Sequence, residues 1–408
     1  MTKKQAFRLL IFLIPLPVFL SQCFSSSSKQ DEPRGELYAG AATCAGCHKN
    51  VYNSYLHTAH FKASGPATDS TLQGNFNKGA NELIFNPHLK VVMEKRDSGF
   101  YQTSYSNGKV EQSQRFDIVF GAVKGQSYAY WLANELFQLP VSYVKNSNSW
   151  INSPGYDPKR VAFERAIGTR CLDCHLSYAK PAPAQLPGFY DNEEGFEKQS
   201  LVFSVDCERC HGPAAQHVKF QTDNPAEKKA KYITTFSSLS REQKINICAI
   251  CHSGSASRLL KPTFSFKPGD TLSKYLEAHK TTSQTDYTHI DVHGNQKALL
   301  ESSKCFISSQ LDCSTCHNTH VNDRGKLTLF AAKCMTCHNS DSHIQCKLTG
   351  TLNASMLTNN CISCHMPAFT SKTIIAGQSP TLIHTHHIGV YPEETQKIMA
   401  YIKTTIKK

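Results

Sequence analysis

Apolar and polar positions divide the 408-residue chain into stretches of different rhythm. Residues 1–22 begin with the cations Lys3, Lys4 and Arg8 and run into an unbroken apolar stretch over 9–20. That stretch is too short for a membrane span, which takes about 20 apolar residues, and has the form of the apolar part of an export signal. Residues 23–36 are polar, with serine throughout 25–28, and read as a flexible tether. After a segment at 37–80, the pattern over 81–150 turns to alternating, β-rich runs at 83–85, 91–93, 100–105, 116–120 and 139–143. Ser106-Asn107-Gly108-Lys109 separates two of these runs, and Asn-Gly is the pair that a type I′ hairpin turn favours. A small antiparallel β insert is therefore expected there. Over 151–392 no period persists, so short helices and irregular connections are expected. The chain closes over 393–408 with a helix entered at Pro392, acidic at Glu393 and Glu394 and basic at Lys407 and Lys408. Ile398, Ile402 and Ile406 give that helix one apolar stripe, suited to capping a core.

The cysteines change this picture. Of 17, fourteen fall in seven copies of one pattern, CxxCH. The copies are Cys44-Ala-Gly-Cys47-His48, Cys171-Leu-Asp-Cys174-His175, Cys207-Glu-Arg-Cys210-His211, Cys248-Ala-Ile-Cys251-His252, Cys313-Ser-Thr-Cys316-His317, Cys334-Met-Thr-Cys337-His338 and Cys361-Ile-Ser-Cys364-His365. CxxCH is the attachment pattern of c-type haem. Two thiols one helical turn apart reach the two vinyl groups on one porphyrin edge. The histidine that follows lies under the iron as its proximal ligand. A zinc site would pair one CxxC with another, or with two spaced histidines, and a disulfide framework has no use for a histidine after each pair. The motif starts are separated by 127, 36, 41, 65, 21 and 27 residues. So little chain per motif means that seven macrocycles must supply much of the apolar core. Segment 37–80 is then the first haem segment, 81–150 an insert between haems 1 and 2, and 151–392 the core of haems 2–7. The fold expected is a multihaem cytochrome c, mainly short α-helices and loops around stacked haems.

Twelve of the 19 histidines stand outside the motifs. They fall into enough clusters for a second axial ligand at every iron. The candidates are His57, His60, His217, His293, His320, His343 and His387, the last chosen from the C-terminal group His384, His386 and His387. His57 and His60 follow the first motif on what reads as its own helix, one turn apart on one face. His320 lies three residues past His317, where it would point away from its own haem and cap a neighbour. His88, His279 and His289 are weaker candidates, and Met93 or Met356 could replace a histidine at one iron. Cys305 and Cys346 remain, and a possible disulfide between them suits an exported chain.

Haem c is attached outside the cytoplasm, which agrees with the N-terminal pattern. Leu20-Ser21-Gln22-Cys23 looks like a bacterial lipobox, in which Cys23 is the acylated first residue and 1–22 the lipoprotein signal peptide; cleavage near Ser21 without lipid is the alternative. The expected location is the periplasmic face of a membrane, the outer membrane or the cell surface. The formal charge of +12 does not point to nucleic acid, because two propionates on each haem offset it.

The order of motifs resembles the exported multihaem c-type cytochromes, related in haem packing to cytochrome c nitrite reductase and hydroxylamine oxidoreductase. The resemblance rests on Tyr38-Ala-Gly-Ala-Ala-Thr-Cys-Ala-Gly-Cys-His48, Cys207-Glu-Arg-Cys-His-Gly-Pro213 with His217, Cys313-Ser-Thr-Cys-His-Asn-Thr-His320 and Cys361-Ile-Ser-Cys-His-Met-Pro367. Gly125-Gln-Ser-Tyr through Tyr156 and Arg170-Cys-Leu-Asp-Cys-His175 is similar to poorly characterised heptahaem members. The resemblance implies stacked parallel and perpendicular haem pairs and electron transfer. No CxxCK motif is present, so the lysine-ligated active haem of the nitrite reductases has no counterpart, and no catalytic residue is assigned. Electron transfer between donor and acceptor cytochromes, or from a quinol-linked complex, is the first expectation, with the lipid as membrane contact. The alternative is an oxidoreductase acting on a small nitrogen or sulfur compound at one open haem, with the first or second haem beside the β insert as its place.

Overall fold

The computed structural model describes residues 32–186, 194–254, 257–277, 287–339, 346–348, 352, 354–372 and 381–406. Its most regular part is the β region, which is larger than the 81–150 insert read from the sequence. Ten strands run from Ser64 to Asn152: β1 Ser64–Pro66, β2 Glu82–Asn86, β3 Leu89–Arg96, β4 Gly99–Ser106, β5 Lys109–Arg115, β6 Ile118–Phe120, β7 Gly125–Leu132, β8 Glu135–Gln138, β9 Val141–Val144 and β10 Ser149–Asn152. They form two antiparallel sheets. One is a meander in the order β2-β3-β4-β5; the other runs β1-β6-β7-β9-β10, with β8 also paired to β7. The β4–β5 turn is the expected one, with Ser106 opposite Lys109 and positive φ at both Asn107 and Gly108.

The strands missing from the sequence reading have two physical causes. The strand β5, KVEQSQR, lies largely exposed at a sheet edge, so it carries no apolar alternation. Strand β7, unlike the β6 run read at 116–120, is buried on both faces over Tyr128–Tyr130, so its apolar run does not alternate with polar residues. Val119, Tyr128 and Tyr130 face the other sheet, where they pack with Val91, Met93 and Phe100, with Trp150 of β10 in the same cluster. Ile118 and Ala129 face the opposite way, onto Leu172 and Leu176 beside the second motif. The β region is thus docked on the second motif rather than looped out between the first two. A buried glutamine ties the two sheets together. Gln102 on β4 donates to Val141 O at 2.7 Å and accepts from Val141 N at 2.9 Å.

The rest has the expected short helices and loops, together with three two-stranded antiparallel sheets that the sequence reading did not place: Leu176–Tyr178 with Val202–Phe203, Pro181–Pro183 with Glu194–Phe196, and Ala368–Thr370 with Leu382–His384. Helices cover part of each motif region, as in Thr169–Leu172, Cys207–His211, Cys313–Cys316 and Cys361–His365. The longer ones are Arg241–His252, opened by a Ser240 capping box with Gln243, Leu327–Met335, and the final helix Pro392–Ile406. The latter begins at Pro392 with Glu393 and Glu394 in its first turn. Among the described residues beyond Lys304, the buried hydrophobic side chains are Ala331 and Ile362 alone. This segment carries three motifs and has almost no core of its own polypeptide. Among the described residues, no helix is long and apolar enough to cross a membrane.

Candidate functional site

The motif cysteines meet across segments. Cys44 of the first motif is in hydrogen-bond contact with Cys207 of the third, and Cys174 of the second with Cys251 of the fourth. Cys248 of the fourth touches Cys313 of the fifth, and Cys334 of the sixth touches Cys361 of the seventh. Two further links close the series. Cys210 interacts electrostatically with Cys248 and Cys251, joining third to fourth. Cys316 interacts with Cys334, joining fifth to sixth, and the helix Leu327–Met335 packs on both Cys313–Cys316 and Cys361–His365. All seven motifs form one contiguous array. Among the described residues, no three His, Cys, Asp or Glu side chains gather at a point that could hold a bare metal ion.

The histidines meet in pairs, each drawn from two distant segments. His48 and His217 have ring centroids 6.5 Å apart with planes 17° from parallel. His211 and His320 are 5.9 Å apart at 16°, His317 and His386 6.1 Å at 24°, and His60 and His252 6.4 Å at 73°. Two metal–nitrogen bonds of about 2 Å each, plus half of each ring, span roughly 6 Å, so these are the separations at which one iron fits between two imidazoles. The hydrogen bonds support that orientation. Nδ1 of His211 lies 3.3 Å from Thr234 O, that of His217 2.8 Å from Lys231 O, that of His252 3.2 Å from Gln296 Oε1 and that of His365 2.8 Å from Gly389 O. A ring that gives Nδ1–H to a carbonyl keeps Nε2 as its free donor to a metal. Burial and the neighbouring histidines push both His60 and His386 down to about 4. Burial also lowers His175, His252, His317 and His320, so the rings are neutral, as ligation requires. The donor set fits haem c at these motifs: paired thiols, a proximal imidazole and, at four of them, a second imidazole opposite.

The second motif abuts the β region. His175 has Nδ1 3.3 Å from Ala63 O, its carbonyl accepts from Ser64 Oγ at 2.6 Å, and Phe120 of β6 meets its ring edge-on at 5.5 Å. His293 is its electrostatic neighbour.

Other expected residues lie elsewhere. The helix after the first motif is Lys49–Tyr55 and stops before both histidines. Thr58 Oγ1 donates to Tyr55 O at 2.7 Å and accepts from Phe61 N at 3.2 Å, which turns the chain. His57 is left exposed while His60 faces His252, so the two do not share a helix face. In the C-terminal group it is His386 that faces His317. His387 is buried with Nδ1 2.6 Å from the Tyr391 hydroxyl, and His384 has Nδ1 2.6 Å from Met366 O. His88 sits exposed in the β2–β3 turn. Met93 is wholly enclosed in the sandwich core, which removes it as an axial ligand. Cys305 remains a thiol with Cys337 as its electrostatic neighbour, whereas Cys346 neighbours Cys364. The structure therefore draws no bond between Cys305 and Cys346. Cys23, His279 and His343 lie outside the described residues.

Residues 127–212, from within β7 through the third motif, match the family model of cytochrome c554 and c-prime. Among solved structures, the chain is similar to the outer cell wall cytochrome OcwA, with 15% identity and a TM-score of 0.51 over 88% of this chain and 81% of that one. No curated protein matches. The chain has the fold of a multihaem c-type cytochrome and carries the haem-attachment motifs of that class.

Proposed function

We propose that the chain carries electrons outside the cytoplasm through seven covalently bound c-type haems, most of them held by two histidines. The four cross-segment histidine pairs at 5.9–6.5 Å support this reading best. When bound, haem iron supplies reversible one-electron exchange between Fe(III) and Fe(II). The chain supplies ligation and order. His217 serves the first motif, His320 the third, His60 the fourth and His386 the fifth, and His293 is assigned to the second through its interaction with His175. His57, His343 and His387 remain distal candidates without an assigned motif. Two imidazoles fixed by the backbone hardly rearrange between the two oxidation states, which favours fast transfer over substrate binding. The thiol contacts order the motifs as first, third, fourth, fifth, sixth, seventh, with the second branching from the fourth.

The export-signal pattern of residues 1–22 supports a place outside the cytoplasm, as does the likeness to a protein described as an outer cell wall cytochrome. Cys23 is the proposed lipid anchor, and cytochromes or a quinol-linked complex are the proposed donor and acceptor. Intact-mass analysis of protein matured in a c-haem-attaching host tests the cofactor count. Seven haem masses per chain are expected, and a smaller saturating number overturns the seven-haem reading.

A further inference from the structure

We infer that a buried acidic cluster at the junction of the first and third motifs makes the haems held there the low-potential end of the array, with Glu208 and Arg34 setting the level. This rests on the proposed reading that both motifs hold haem. Glu208 occupies the first x position of the third motif, and its side chain is 1% exposed. It accepts from Ala39 N and Gly40 N at 2.9 Å each, from Ala214 N at 2.8 Å and from Arg34 Nη2 at 3.0 Å. Four donors thus converge on one enclosed carboxyl group. Asp206 caps the motif helix by accepting from Arg209 N at 3.0 Å, and its Oδ2 lies 2.8 Å from Arg34 Nη2. Glu32 grips the other edge of the same guanidinium at 2.7 Å. Three carboxylates thus share one arginine, a formal excess of two negative charges, with Arg209 of the same motif turned towards Thr263 and Asp173.

That charge lies beside the thiols that would bond the haem edge. Glu208 and Asp206 both act electrostatically on the Cys44 sulfur, and Asp206 acts on the Cys207 sulfur it contacts. The second-to-fourth junction is more nearly balanced: Asp173 there interacts with both Arg170 and Arg209, the latter belonging to the third motif and acting on Cys210 as well. Negative charge in a region of low dielectric stabilises Fe(III) over Fe(II) and lowers the potential, and positive charge raises it. The polypeptide charges therefore tilt the array, so that electrons enter at the first and third motifs and run towards the fourth.

Spectroelectrochemical titration of the holoprotein tests this, with haem occupancy of each motif read by peptide mass spectrometry. In E208Q two haems should shift upward in potential, and in R34Q the same two should shift downward. E32Q, a milder change whose carboxylate binds Arg34, should follow E208Q. Opposite signs distinguish charge from loosened packing, which would move the acidic and basic variants the same way. Unmoved potentials, or shifts of one sign in both, overturn the inference alone. A wild-type protein without haem on Cys44–Cys47 or Cys207–Cys210 overturns the reading beneath it.

Discussion

At the scale of the residue, the chemistry of the chain is carried by cysteines and histidines whose visibility in the sequence differs sharply. Attachment is local, because two thiols and a histidine must lie within one turn, and all seven motifs are legible at sight. The second ligand is not local. His60 meets His252 and His217 meets His48 across segments far apart in the chain, so spacing could nominate histidines without pairing them. The choice between His386 and His387 turned on which ring faces His317 and which meets Tyr391, and adjacent positions carry no signal for that. Two substitutions follow from the pairing. His386→Ala and His320→Ala should each convert one haem from low-spin to high-spin ferric, read by its charge-transfer absorption band, at unchanged haem content. His88→Ala, on the exposed β2–β3 turn, should leave every haem low-spin. If neither pair variant gains a high-spin band, the ligand assignments are wrong.

At the scale of the element, the β region shows what alternation reveals and what it hides. Strands with one buried face and the Asn-Gly turn were legible. The edge strand β5 and the doubly buried β7 were not, because neither environment produces a period of two. The region should also be stiff, for reasons that can be tested singly. Gln102→Ala strands the Val141 N–H and C=O inside the sandwich, at a cost of about 1–3 kcal/mol for each buried group left unpaired. Amide exchange should then accelerate in β4 and β9. Gly74 has a φ of +117°, and a methyl group there would lie 2.4 Å from Trp150 Cζ2. Gly74→Ala should lower the unfolding midpoint, with a cost of roughly 1–3 kcal/mol from overpacking and backbone strain. Unchanged exchange in the first variant, or an unchanged midpoint in the second, would show that these contacts do not hold the sandwich. Docking of this region on Leu172 and Leu176 predicts that both variants disturb the second haem before the others.

At the scale of the whole molecule, the account is one of order. Thiol contacts connect the motifs into a line from first to seventh with the second as a branch. Redox titration followed by NMR should then find the strongest pairwise interactions between haems at the first and third, the second and fourth, the fourth and fifth, and the sixth and seventh motifs. A strong first-to-seventh interaction would contradict the line. The scarcity of buried apolar side chains beyond Lys304 also predicts that chain matured without haem fails to fold there, seen as lost protease resistance. The central proposal is that the irons, most of them held between two histidines, are closed by second ligands and serve transfer rather than substrate chemistry. EPR of the oxidised protein, with seven haems per chain verified, tests it most directly. The account predicts low-spin ferric signals alone, unchanged by nitrite, hydroxylamine or sulfite. A high-spin signal from one haem that responds to any of the three would contradict it and make the chain an enzyme.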